Sequence, residues 1–133
     1  MMDERFRRLW SLAMLFLPAP AFAQDAFPTG IWTDSHTRIV VRIVPCDASS
    51  TTYCGIVVRD NRRGRTAIPS GHVIIRNLSQ GTRNWSGHAY DGRARFSFTL
   101  QPITNERASA RLCITHVFCM TERLHQLSDF AAQ

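Results

Sequence analysis

Four cysteines and a cluster of arginines are the side chains of this chain most able to do chemistry. Seven residues lie between Cys46 and Cys54, and five between Cys113 and Cys119. Close thiols can bind a metal, cycle a redox couple, or oxidise to disulfides. Zinc sites and thiol redox motifs usually place two residues between paired cysteines. Neither pair has that spacing, so no metal and no cofactor is expected. Four cysteines allow three connectivities. Local pairing, Cys46–Cys54 and Cys113–Cys119, suits both spacings, with each pair facing across the turn of a hairpin. The arginine cluster is Arg59, Arg62, Arg63 and Arg65. Guanidinium forks match carboxylate and phosphate, so this segment is a candidate anion-binding loop. Its plainer reading is a solvated loop.

Other catalytic signatures are missing. His36, His72, His88, His116 and His125 form no HxH or HxxxH pair. There is no G-x-S-x-G nucleophile turn. The few acids make no recognisable acid–base pair. The expectation is a protein with no catalytic residues, not an enzyme.

The N-terminus explains why the thiols would be oxidised. Arg5, Arg7 and Arg8 precede an apolar run, Leu9–Leu17. Pro18 and Pro20 break it, and Ala21-Phe22-Ala23 offers a small-x-small cleavage site. This is the pattern of a secretory signal peptide, residues 1–23. The run falls short of the ~20 apolar residues a membrane span needs, so the chain is read as not transmembrane. The remaining 110 residues, 24–133, suit one domain. They hold 13 Arg and no Lys against eight acids, a charge of +5. A periplasmic or secreted location follows, in which disulfides persist. The charge favours anionic partners, such as an amphipathic ligand or a lipid surface. Export argues against nucleic acid.

The elements that must position these groups are strands. Apolar residues alternate with polar ones at Ile39, Val41 and Ile43, at Ala94, Phe96, Phe98 and Leu100, and at Ala108, Ala110, Leu112 and Ile114. Short β-branched runs occupy 54–58 and 72–76. Turn residues separate the runs, most clearly Asp91-Gly92. About eight strands result, over 30–36, 38–45, 53–60, 71–77, 84–90, 94–101, 107–114 and 118–125. Their short connections make neighbours antiparallel. Such a meander removes its edges by closing into an up-and-down barrel. An open two-sheet sandwich is the alternative.

Several landmarks fall in a known order: Gly30-Ile31-Trp32, Tyr53-Cys54-Gly55-Ile56-Val57, Trp85-Ser86-Gly87 before Tyr90-Asp91-Gly92, then Cys113, Cys119 and Arg123. This order resembles the DUF2147 family of exported bacterial proteins, over about residues 29 to 124. The chain departs from that pattern at Leu112, where the family has Gly, and at Thr121, where it often has Trp. The Gly30-x-Trp32 start is also similar to the lipocalin (calycin) signature. That resemblance implies a barrel end closed by Trp32, with Gly30 beside it and Arg123 stacked across the indole.

Two functions compete. One is non-enzymatic binding of a small apolar, amphipathic or anionic ligand inside the barrel, lined by Ile39, Val41, Phe96, Phe98 and Leu100. The other is an envelope protein–protein factor, an inhibitor or assembly accessory, with a filled barrel. An internal cavity separates them.

Overall fold

A computed structural model describes residues 26–64 and 67–128. The signal segment and Arg65 lie outside the described residues. The chain between is all β, in eight strands: β1 Gly30–Asp34, β2 Ile39–Pro45, β3 Tyr53–Asp60, β4 Val73–Gln80, β5 Trp85–Tyr90, β6 Arg95–Thr104, β7 Arg107–Cys113 and β8 Cys119–Leu127. Each pairs antiparallel with the next, and β8 returns to β1, so the sheet is a closed barrel. No described helix is long and apolar enough to cross a membrane. Cys46–Cys54 and Cys113–Cys119 are disulfides, and no cysteine is free.

The alternation that identifies the strands also decides which side chains enter the barrel. Val41 and Ile43 on β2, Phe98 and Leu100 on β6, and Ala108 and Ala110 on β7 are all buried in one core. Arg42, Arg95, Arg107 and Arg111 fall on the opposite parity and are exposed. Strand β4 breaks the period. Ile75 and Leu78 are both buried although three residues apart. A register shift between Arg76 and Ser79 explains this, with Asn77 at φ 55°. Asn tolerates the left-handed region, and the bulge resets which side chains face inward. The partner strand needs Gly87 there. A Cβ on Gly87 would stand 2.6 Å from the Arg76 carbonyl oxygen.

One barrel end is packed shut. Trp32 is 2% exposed, and its indole Nε1 donates to the Pro28 carbonyl at 2.8 Å. Phe27 meets Trp32 edge-on at 5.5 Å between ring centroids, and Tyr53 meets Trp85 edge-on at 5.3 Å. Offset and edge-on aromatic contacts of this kind stabilise beyond their burial. The segment before β1 thus forms the plug. Gly30, at φ 142°, lies against the Gln126 side chain, which leaves no room for a Cβ.

The stacking role expected for Arg123 is corrected here. Glu122 and Leu124 line the interior, so Arg123 between them points outward, and it is exposed. The residue paired with Trp32 on β8 is Gln126. A three-residue difference reverses the face a strand residue presents. The indole therefore rests on Phe27 instead of a guanidinium.

A smaller cluster lies on the outer side of β1 and β2. There Ile31 and Val40 are buried against Val58 and Leu127.

Candidate functional site

The interior is open at the other end. Above Trp32 lies a cavity of about 290 Å³. Its walls include Ile39, Val41, Ile74, Ala89, Phe96, Phe98, Leu112 and Leu124. Four of the five residues expected to line a ligand space do so. Leu100 does not: it is fully buried in the packed layer beside Trp85, its partner in the sheet. Packing against the aromatic plug turns an inward residue there into core.

Charged groups surround the opening in two sets. In the first, Asp34 ends β1 and caps the turn into β2. Its carboxylate accepts the Arg38 backbone N–H at 2.6 Å and the Arg38 Nε at 2.7 Å. The same guanidinium reaches over the end of β1 to Glu122 Oε1 on β8 at 3.2 Å. Burial raises the Asp34 pKa, but the hydrogen bonds from Arg38 and Ile39 outweigh it and hold the group below its ordinary value. In the second set, Asp60 ends β3. It takes Nε and Nη2 of Arg62 in a two-pronged pair, at 2.9 and 2.7 Å. It also accepts the backbone N–H of Ile68 at 2.8 Å. That last bond sets the β3–β4 connection in place, and the buried Ile68 becomes part of the cavity wall. Asp91, in the β5–β6 turn, accepts the N–H groups of Arg93 and Ala94. Those bonds, with the field of Arg62, lower its pKa.

These contacts bear on the proposed arginine cluster. Arg62 lies at the cavity opening, but its guanidinium is committed to Asp60. Arg59 lies half-buried on β3, and Arg63 is exposed. Arg65 lies outside the described residues. Of the described three, Arg62 is thus already engaged by a carboxylate. The carboxylates that organise the opening were not singled out from the sequence. A readable signal existed: an acid ending a strand, followed two or four residues later by Arg, as in Asp60–Arg62 and Asp34–Arg38.

The Asp60 side chain is 1% exposed, and the Arg62 hydrogen bonds bring its pKa down from 3.8 to about 2. A carboxyl with a depressed folded pKa stabilises above its unfolded pKa, and that stability is lost as pH falls through the folded value. Asp60→Asn should therefore cost about 2 kcal/mol at pH 7. The gap from wild type should close between pH 4 and pH 2. Thermal unfolding of both proteins across that range checks it. A gap that stays constant into acid would show that the charge of Asp60 is not what stabilises.

The fold and this opening define a class: a small, closed, disulfide-stapled β-barrel with an apolar cavity and a charged rim. Set against known proteins, the chain matches no family model, no curated protein and no solved structure.

Proposed function

We propose that the protein binds a small apolar or amphipathic ligand within the barrel and acts without catalysis, in the cell envelope or outside the cell. The cavity carries this reading. Its volume stands at the lower edge of the ~300–1,000 Å³ of ligand pockets, and its walls below the charged rim are mainly aliphatic and aromatic. An interior of this size supports the ligand reading over a filled barrel, the premise of the competing protein–protein reading. Disulfides at both ends of the barrel support an oxidising compartment. Membership of the DUF2147 family is proposed on the same footing, from the order of motifs and the closed barrel together.

The rim refines the ligand. Among the described residues that line the opening, Asp34, Asp91 and Glu122 outnumber Arg38 and Arg62, and both guanidiniums are already paired. A carboxylate head would meet net negative charge, so an uncharged head suits the opening better than an anionic one. Calorimetric titration with octanol and octanoate tests this. Octanol should bind, and octanoate should bind more weakly. Leu124→Trp, which fills the cavity below the rim, should abolish octanol binding. Its melting temperature reports that the barrel persists. If octanol fails to bind wild type, or binds the Trp variant equally well, the cavity is not a ligand site.

A further inference from the structure

We propose that the tip of the β7–β8 hairpin docks the barrel, opening first, onto an anionic lipid surface. Two observations point there. The first is apolar. Ile114 is 61% exposed, Val117 82% and Phe118 71%. Single exposed apolar residues are common, but three within five residues form a patch. The patch continues the interior. Leu112 and Met120 line the cavity, and Ile114 and Phe118 have the same parity on their strands. The Ile114 N–H bonds the Phe118 carbonyl at 3.0 Å, and the Cys113–Cys119 bridge closes the hairpin just beneath. The staple thus holds apolar side chains out in solvent, where a longer unlinked loop could fold them back.

The second observation is charge. The outward positions of β6, β7 and β8 hold Arg95, Arg107, Arg111 and Arg123, all exposed, and no acid. None of these four takes part in the ion pairs seen among the described residues, which engage Arg38 and Arg62. Arg111 stands beside the staple, its Nη2 3.5 Å from Cys119 Sγ. Ser97 pairs with Cys113, so Arg95 lies two residues nearer the tip on the adjacent strand. With a rise of about 3.3 Å per residue, Arg111 sits roughly 7 Å behind Cys113.

An apolar apex flanked by Arg95, with Arg111 a few ångströms behind it, matches a bilayer surface. Apolar groups enter the acyl boundary to about 5–10 Å, and guanidiniums meet lipid phosphates. The rim carboxylates oppose this less than they would a head inside the opening, because Arg95 and Arg111 stand on the outer face of the wall and meet the lipid beside the rim. The docking does not require any ligand in the cavity, so it stands or falls separately from the ligand reading.

The test is flotation of the oxidised protein with phosphatidylcholine vesicles, with and without phosphatidylglycerol. Wild type should bind the anionic vesicles, less so as salt rises. Val117→Ser with Phe118→Ser should weaken binding more than about tenfold. Arg95→Ser with Arg111→Ser should weaken it about tenfold on anionic vesicles only. Both pairs are exposed, and unchanged melting temperatures verify the fold. The proposal is overturned if wild type ignores anionic vesicles, or if either double variant binds as wild type does. It is equally overturned if the tip instead joins two copies, seen as a dimer that the Val117/Phe118 variant dissolves while vesicles go unbound.

Discussion

Trp32→Ala should lower the unfolding free energy by about 3–5 kcal/mol, the range for large-to-small changes at a buried aromatic. For a domain of this size that is a fall of at least about 12 °C in melting temperature. The reason is position. The indole is the floor of the cavity and the inner face of the plug at once. Its removal would leave Phe27 without its edge-on partner and the Pro28 carbonyl without its donor. It would also join the plugged end to the open interior. Arg123→Ala is the companion measurement. An exposed outward guanidinium should change stability by no more than about 0.5 kcal/mol. A small loss at Trp32 would contradict its role as the plug, and a large one at Arg123 would restore the stacking arrangement that the β8 register excludes.

Removal of both disulfides is the second large effect expected. Each closes a short loop, eight residues for Cys46–Cys54 and six for Cys113–Cys119. Chain entropy assigns each about 2–3 kcal/mol. The first lies at the plugged end, where Pro45 pairs with Tyr53. The second lies at the open end, beyond Met120 on the rim. Sites so far apart share no partners, and their effects should add. Cys→Ser at all four positions should therefore cost about 4–6 kcal/mol, a large part of the ~5–15 kcal/mol that holds a typical domain together. Urea unfolding of the two paired variants and the quadruple variant measures it. Non-reducing peptide mapping of the wild type should recover the two local pairs, and a crossed pattern would refute the additive account.

Strands were the most legible feature, because a half-buried strand writes its own period into the chain. Ile39, Val41 and Ile43 could be assigned inward from alternation alone, and so could Phe96 and Phe98. The cysteine pairs were legible for a related reason. Their spacing suits hairpin ends, and the strands on either side place them there. Strand β4 resisted, since its bulge at Asn77 changes the period midway. The expected end of β4 at 77 accordingly fell short of Gln80.

The sequence by itself determined the strand count, the antiparallel order and the two staples. All of these follow from local period, turn chemistry and short separation. Only the tertiary structure decided what those elements enclose. The parity of β8 turned Arg123 outward, since a position's face depends on its register with β1 and β7. Packing at the plugged end made Leu100 core, while Phe98 lines the cavity. The pairing of Asp60 with Arg62 took a guanidinium from the arginine cluster and drew Ile68 into the barrel. Arg38 and Glu122, 84 residues apart in the chain, meet only because β8 closes on β1. Whether side chains fill a barrel or leave a cavity depends on the sum of all inward volumes against its circumference, and no single strand carries that sum.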